Sequence, residues 1–482
     1  MRKRVQYGAD AKGRAVNEYT SRRRMLQRTA VGFGSLALHG LLSRDGQARG
    51  PLAARSSLVP ARAKRIIFLL MSGGPSQVDT FDRKPLLDRD HGKPLPFAKP
   101  RVQFNATKNL LRSPWRFRQH GESGLWVSEL FPRLATRVDD LCMVHSCYGT
   151  NPAHGGAMMK LHTGTDRFIR PSIGSWLSYG LGTENENLPA FVTICPTLAF
   201  GGVNNWSSSF LPAVHNGTAI GDASVPSARA RVKYIKNSRW SLATQRLQLE
   251  RLKRLNEAYL DRTGSEAALE ARINSFELAW RMQSHAPDVL DLSRETAATQ
   301  ALYGINQPQT ANFGRQCLMA RRLSEAGVRF IQVTYGDGSP NPAWDQHSNL
   351  PKHAEHARRV DKPIAGLLED LQQRGRLEDT IVWWGAEFGR TPYAQDRGTG
   401  RDHNPDGFTV WLAGGGLKPA FAYGNTDEFG HVAVEKKMHM HDLHATLLHL
   451  LGIDHLRLTY RHSGRDFRLT DVHGEVVHEL FS

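Results

Sequence analysis

An acid and an imidazole lie at the ends of two apolar segments in the C-terminal part of the chain. Glu387 comes just after residues 380–384, a run of β-branched and aromatic residues that predicts a strand buried on both faces. His403 precedes a second predicted strand at 408–412. Because ligands of open α/β sheets bind beyond the carboxyl ends of the strands, we expect the two side chains to meet at one edge. A carboxylate and an imidazole placed there could form a metal site or an acid–base site.

Two further loops bring acids and another histidine to the same predicted edge. Asp345 and His347 follow the strand predicted at 328–334, and their D-x-H spacing allows both to bind one ion. Asp79 follows the first predicted strand, 66–71, where its carboxylate is available as an extra metal ligand. The structural alternative is that Asp79 caps a turn.

Arg390 has two interpretations at this edge. In the functional interpretation, its guanidinium is an oxyanion contact beside the metal ligands. In the structural interpretation, it pairs with Glu387, while His403 only caps a turn. Spacing alone leaves both open.

Strands and helices are predicted to alternate along most of the chain. This order predicts an α/β fold in which a mostly parallel sheet is covered by helices on both faces, within one domain at 65–482. Residues 238–307 depart from the pattern, because leucines and aromatic residues recur there at helical spacing between charges. We interpret them as a helical insertion whose apolar stripe packs on the sheet.

The first 48 residues have the form of a twin-arginine export signal. The run SRRRMLQ at 21–27 is followed by a short apolar segment rich in Gly and Ala. Such a signal implies the twin-arginine export machinery as a partner and a periplasmic or otherwise exported location. Residues 49–64 are rich in Pro, Ala and Arg and are interpreted as a linker. The alternative for the leader is a disordered basic arm that binds nucleic acid.

The formal net charge of +17 would suit nucleic acid or an anionic membrane if it were spread over the whole chain. Residues 1–65, however, contain 15 Lys and Arg against 3 Asp and Glu, which is a net +12 and leaves +5 for the remainder. The basic character therefore belongs mostly to the leader, and nucleic acid is not expected as a partner. After the leader, no apolar segment reaches the ~18 residues that a transmembrane helix needs.

Several longer motifs resemble one protein family along nearly the whole chain. They are MSGGPSQVDTFD, NPAHGGAMMKLHTG, WDQHS, GAEFGRTP, GRDHNPDGF and HMHDLHATLLHLLGIDH. On these motifs the chain resembles the exported DUF1501 proteins, a family of unknown function that is similar to a divergent branch of the alkaline phosphatase and sulfatase superfamily. The resemblance implies an alkaline phosphatase-like sheet with a metal site at the carboxyl edge of its strands.

The resemblance also implies a set of metal ligands. Glu387 corresponds to the strand-end acid of the superfamily, and His403 corresponds to its late histidine ligand. Asp345 and His347 resemble the ligand loop that precedes them. Asp79 stands later than the usual first acidic ligand, so it is an additional candidate. The implied cofactor is a divalent metal, namely Zn, Ca or Mn.

The nucleophile implied by the superfamily is not present in its usual form. Counting back from Thr163 and Gly164 places His154 where sulfatases carry a Cys or Ser, so there is no formylglycine precursor. Thr150, Ser146 and His154 itself stay open as candidates for the nucleophile of a phosphatase-type reaction.

Together, these expectations describe an exported metal-dependent hydrolase of phosphate or sulfate esters. Its substrate would be a small anionic ester or a glycan of the cell envelope. Because the usual nucleophile is missing, the alternative is a non-catalytic protein on the same fold that binds a metal or a glycan.

Overall fold

The computed structural model describes residues 52–98, 106–263, 267–336, 342–395 and 399–482. The predicted export signal at 1–48 lies outside these residues. Within the described ranges, no helix combines the length and the apolar composition needed to cross a membrane.

The strands and helices are numbered in chain order. The strands are β1 (Arg65–Met71), β2 (Thr107–Leu110), β3 (Phe117–His120), β4 (Leu125–Ser128), β5 (Leu141–Tyr148), β6 (Phe191–Ile194), β7 (Thr218–Ile220), β8 (Phe330–Tyr335), β9 (Thr380–Gly385), β10 (Gly389–Gln395), β11 (Arg401–Asn404), β12 (Phe408–Ala413), β13 (Phe421–Tyr423), β14 (Asn425–Thr426), β15 (Ala433–Glu435), β16 (Met438–His439), β17 (Tyr460–His462) and β18 (Arg465–Phe467). The helices are α1 (Gln77–Thr80), α2 (Pro85–Arg89), α3 (His154–Thr163), α4 (Ile173–Leu181), α5 (Leu242–Thr263), α6 (Ala267–Leu290), α7 (Ala297–Leu302), α8 (Ala311–Glu325), α9 (Lys352–Gln373) and α10 (Met440–Leu450).

Within the part of the chain that the structure describes, the central sheet has nine strands in the order β13-β5-β12-β9-β1-β8-β6-β7, with β16 also paired to β5. Only β12 runs antiparallel to its neighbours, β5 and β9. The other pairings of this sheet are parallel. The prediction of a mostly parallel sheet is therefore confirmed. Because β12 is reversed, its beginning lies at the edge where the parallel strands end.

Helices cover both faces of the sheet, as the apolar runs predict. All seven residues of β1 are buried, and alternate side chains enter two separate cores. One core contains Ile67 and Leu69 of β1 together with apolar residues of α8 and α9. The other contains Phe68 of β1 with residues of α4 and α10. A strand that is apolar at every position thus reflects burial on two sides.

The region interpreted as a helical insertion contains α5 and α6, but the apolar stripe of these helices does not pack throughout. In α6, Leu278 and Met282 are buried. In α5, by contrast, Leu252, Leu255 and Tyr259 are 39%, 62% and 44% exposed. The prediction that this stripe packs on the sheet is wrong for α5, because helical periodicity does not distinguish a face that packs from one left at the surface.

Residues 52–64, the described part of the predicted linker, form backbone hydrogen bonds with later segments of the chain. The backbone N–H of Arg55 donates to the carbonyl of Leu181 at 3.0 Å, and that of Leu58 donates to the carbonyl of Gly452 at 2.8 Å. This segment therefore runs beside the ends of α4 and α10.

Candidate metal centre

Three chain segments converge at the edge where the parallel strands end. His154 is the first residue of α3, which follows β5, and Asp345 and His347 lie in the loop after β8. His403 lies on β11, which leads into the reversed strand β12. Because β12 runs in the opposite direction, His403, which precedes β12, lies at the same edge as the residues that follow β5 and β8.

These four residues form what we call the His–Asp cluster. Its members His154, Asp345, His347 and His403 each offer a ligand atom, and these atoms all lie within 4.8 Å of one another. The carboxylate Oδ1 of Asp345 is the common point. The Nε2 atoms of the three histidines lie 3.3, 2.9 and 3.3 Å from it, in chain order. The Nε2 atoms of His347 and His403 are 2.9 Å apart.

The other ring nitrogen of each histidine contacts an oxygen acceptor. Nδ1 of His154 lies 2.7 Å from Oε1 of Glu387. Similarly, Nδ1 of His347 lies 2.9 Å from Oε1 of Gln395, and Nδ1 of His403 lies 2.6 Å from the carbonyl oxygen of Pro152.

Carboxylate and carbonyl oxygens only accept hydrogen bonds, and the Gln395 contact is likewise to its carbonyl oxygen. The proton of each neutral imidazole therefore belongs on Nδ1. All three Nε2 atoms then carry lone pairs that are directed at one another and at Asp345. This tautomer is the one that metal-binding histidines adopt when a neighbouring oxygen fixes the ring.

Burial and charge set the protonation of the cluster. Burial alone would raise the pKa of Asp345, but the three neighbouring imidazoles and the charge of Arg390 hold it well below its usual range. Burial lowers the pKa of His403 to about 4 despite the nearby Asp345 carboxylate. Burial also opposes protonation of His154, but the Asp345 and Glu387 carboxylates outweigh it and raise the pKa of that imidazole.

The donor set and its spacing fit a divalent ion. An ion bound about 2.0–2.1 Å from each donor holds neighbouring donor atoms about 2.9–3.4 Å apart. The three separations from Asp345 and the separation between His347 and His403 lie in that range, and all the donor atoms lie within 4.8 Å of one another. Four electron-rich atoms at these distances repel one another unless a cation or protons lie between them. The side chain of His347 is 25% exposed and those of His154 and His403 are 5% and 3% exposed, so solvent reaches the cluster from the His347 side.

A family model described as "Protein of unknown function (DUF1501)" matches residues 63–481. The chain is a member of the DUF1501 family. This confirms the resemblance seen in its motifs. No curated protein matches the sequence.

Several solved structures are similar to this DUF1501 protein at low identity. The lipoteichoic acid synthase LtaP from Listeria monocytogenes is 9% identical with a TM-score of 0.38, and the match covers 87% of this chain and 78% of that chain. The PsFucS1 sulfatase from Pseudoalteromonas sp. is 13% identical with a TM-score of 0.35, covering 89% and 72%. The alkaline phosphatase from the Antarctic bacterium TAB5 is 9% identical with a TM-score of 0.32, covering 77% and 96%. All three TM-scores are below 0.5.

Glu387 lies just outside the cluster and contacts it through His154. It is predicted as a ligand, but in the structure its Oε1 accepts hydrogen bonds from Nδ1 of His154 and from the backbone N–H of Gly73 at 2.9 Å. Its Oε2 is buried and has no hydrogen-bond partner among the described residues. The position predicted for the ligand is taken instead by His154, which is predicted as a nucleophile candidate.

Arg390 lies beneath the cluster with its guanidinium fully engaged. Nη2 donates to Oδ1 of Asp345 at 2.7 Å, Nε donates to the carbonyl of Gly74 at 3.0 Å, and Nη1 donates to the carbonyl of Arg401 at 3.2 Å. Nη2 also contacts the carbonyl of Gly73. With no exposed surface, this guanidinium orients Asp345 and is not available as the predicted oxyanion contact.

Asp79 does not join the cluster. Its two carboxylate oxygens accept hydrogen bonds from Nε and Nη2 of Arg401 at 2.7 and 3.1 Å, and both side chains are fully buried. An acid whose two oxygens are occupied by a guanidinium is unavailable as the predicted extra ligand.

Thr150 lies in the segment between β5 and α3 that also supplies the Pro152 carbonyl to His403. Thr150 is exposed, and its hydroxyl accepts a hydrogen bond from Nζ of Lys160 at 2.7 Å. Burial lowers the pKa of Lys160, against the opposing charge of Asp166. Sequence reasoning does not single out Lys160, although its position ten residues after Thr150 on a short helix is a signal that could have been used.

Replacing Glu387 with Gln is expected to lower metal affinity by about 10- to 100-fold while the protein stays folded, because the carboxylate that makes His154 a stronger donor is lost. Affinity is measured by competition with a chelator. Glu257→Gln, which removes an exposed carboxylate on α5, is the matched control and should leave affinity unchanged. Equal affinity in both variants would show that Glu387 does not support the cluster.

Proposed function

We propose that this protein is an exported metal-dependent hydrolase of phosphate or sulfate esters, and that the His–Asp cluster holds one divalent ion. The observation that carries the proposal is the convergence of three imidazole Nε2 atoms on one carboxylate oxygen of Asp345, with each imidazole Nδ1 directed at another oxygen. The twin-arginine pattern of the leader supports export, and the twin-arginine machinery would recognise it.

The chemistry of the donors favours Zn among the metals expected from the sequence. Three imidazole nitrogens and one carboxylate suit Zn, and they suit Mn less well. Ca prefers six to eight oxygen ligands, which this set does not offer. When bound, such an ion polarises an ester oxygen and neutralises developing negative charge.

The chain's own residues divide into positioning and reacting roles. Glu387, Gln395 and the Pro152 carbonyl orient the imidazoles, and Arg390 orients Asp345. Substrate would approach from the side of His347, the most exposed imidazole of the cluster.

Thr150 is the nucleophile that we favour. His154 is committed to the cluster and to Glu387, whereas the Thr150 hydroxyl is exposed and contacts Lys160. Attack by Thr150 Oγ1 on phosphorus or sulfur would break the bond to the ester oxygen. The hydroxyl proton would pass by way of Nζ of Lys160, which contacts Oγ1, to the departing alcohol oxygen. Burial lowers the pKa of Lys160, which eases this transfer. Water would then release the anion and regenerate the hydroxyl. The substrate would be a small anionic ester or an envelope glycan.

The second candidate is a non-catalytic protein that binds a metal or a glycan. The observation that favours it is the imidazole of His154 at the position where sulfatases carry a Cys or Ser. In this interpretation the cluster holds an ion without turnover.

Turnover of aryl phosphates, phosphodiesters and aryl sulfates is expected to disappear with EDTA and to return on addition of Zn. Thr150→Ala should lower kcat by at least about 100-fold without changing metal content, since the group removed forms a bond only in the reaction. Thr299→Ala, which removes a hydroxyl on α7, is the control and should retain full activity. Stoichiometric metal with no turnover of any ester would contradict the hydrolase and support the binding protein.

A further inference from the structure

A basic pocket lies outside the His–Asp cluster, between the α1–α2 turn and the segment that leads into β3. Its cavity volume is about 430 Å³, and no residue of the cluster lines it. Its charged lining consists of one acid, Asp88, and five cations, Arg83, Lys84, Arg112, Arg116 and Arg118.

Most of this positive charge is not neutralised by the protein. Lys84 pairs with Asp82 at 2.9 Å, and Arg116 approaches Glu129 at 3.5 Å. Over the described residues, Arg83, Arg112 and Arg118 have no carboxylate within 4.0 Å. A concave surface of one sign concentrates its electrostatic field and attracts counter-ions.

The arginines of the pocket are exposed, and one of them is oriented by an aromatic ring. The guanidinium of Arg83 lies 4.2 Å from the ring centroid of Trp126, which orients it without neutralising it. Arg116 directly precedes β3 and Arg118 is its second residue, a spacing that puts extended side chains on the same face. Arg112 and Arg118 are both exposed.

The chemistry of the pocket indicates its ligand. Guanidinium groups bind the oxygens of sulfate and phosphate in pairs, and several of them around one cavity can engage several such groups. A volume of about 430 Å³ is within the range of small-molecule sites. A strand of nucleic acid would instead need a long basic groove with successive aromatic platforms.

We propose that this pocket binds a small molecule that carries two or more sulfate or phosphate groups. The site is separate from the proposed hydrolytic centre, and its ligand need not be hydrolysed. Either a sulfated or a phosphorylated sugar would supply the same oxyanion chemistry, so both types are used as probes.

Calorimetric titration of the full-length protein with sucrose octasulfate and with inositol hexakisphosphate tests the proposal. The double variant Arg112→Gln/Arg118→Gln is expected to raise Kd by at least about tenfold for whichever probe binds. Arg251→Gln/Arg254→Gln is the matched control, because it removes two exposed charges from α5 and should change Kd by less than about twofold. His347→Ala/His403→Ala should leave Kd unchanged, so this result does not depend on the hydrolase proposal.

Several results would overturn the basic pocket as a site. These are no binding of either probe at about 1 mM, equal weakening by the pocket variant and its control, or loss of binding only in the His347→Ala/His403→Ala variant. Tighter binding of a single-stranded oligonucleotide than of both probes would replace the small ligand with nucleic acid. Inorganic phosphate is the reference for a single oxyanion, and it is expected to bind more weakly than either probe.

Discussion

Replacing both His347 and His403 with alanine is expected to reduce bound metal from about one equivalent per chain to background. The variant removes two of the four donors of the His–Asp cluster, including the pair whose Nε2 atoms are 2.9 Å apart. Two remaining donors cannot complete a four-coordinate site. The fold should persist, because the variant removes two neutral imidazoles. The Asp345 carboxylate that remains keeps its hydrogen bond from Arg390.

Metal content is measured by elemental analysis of tag-free protein after dialysis, with the melting temperature as the check on folding. The matched control is His285→Ala/His473→Ala, which removes two exposed imidazoles outside the cluster. The control should keep its metal. Equal metal content in the two double variants, or loss in both, would contradict the assignment of the ligands.

The largest effect on stability is expected from Arg401→Met. Arg401 and Asp79 form a salt bridge at 2.7 Å in which neither side chain has exposed surface. Removing the cation leaves the Asp79 carboxylate buried without its partner, which costs about 3–5 kcal/mol of unfolding free energy. Urea denaturation of the metal-free protein measures this loss.

Two further variants separate the structural role of this pair from metal binding. Asp79→Asn is expected to lose stability but to keep its metal, because Asp79 lies outside the cluster. Arg461→Met breaks an exposed pair with Asp466 and should change stability by no more than about 0.5 kcal/mol. Metal loss in Asp79→Asn would restore Asp79 as a ligand, and a small effect of Arg401→Met would show that the pair contributes little.

Much of the fold can be predicted from the sequence, because strands buried on two faces are apolar at nearly every position. The strands predicted at 66–71, 380–384 and 408–412 correspond to β1, β9 and β12, each within one residue at either end. Strand direction is not encoded in such a run. The antiparallel β12 is therefore found only in the structure, although it is what brings His403 to the edge.

The site is only partly predictable, because the sequence does not say which polar groups satisfy one another across the fold. Asp79 and Arg401 are far apart in the chain yet pair completely. His162 belongs to a polar stretch rich in Gly, yet it is fully buried, with contacts to the Met158 carbonyl and to Gln332. Asp442, in contrast, acts locally, because its carboxylate accepts a hydrogen bond from the backbone N–H of His439 at the start of its own helix.

His154 faces the cluster where the sequence predicts Glu387, and the reason is again a pairing of polar groups from distant segments. A strand-end acid and the first residue of a helix are both available at this edge, and only their mutual hydrogen bond decides which one faces inward. The sequence identifies the edge and three of the residues at it, whereas the exact donor set depends on contacts between distant segments.

X-ray absorption of the metal-loaded protein tests the central claim most directly, since it reports the atoms bound to the ion. With Zn, we expect one equivalent per chain and a first shell of nitrogen and oxygen about 2.0–2.2 Å away, with the outer-shell scattering of three imidazoles. A shell of oxygens without imidazole scattering, or failure to load any stoichiometric metal, would contradict the assignment of His154, His347 and His403 as ligands with Asp345.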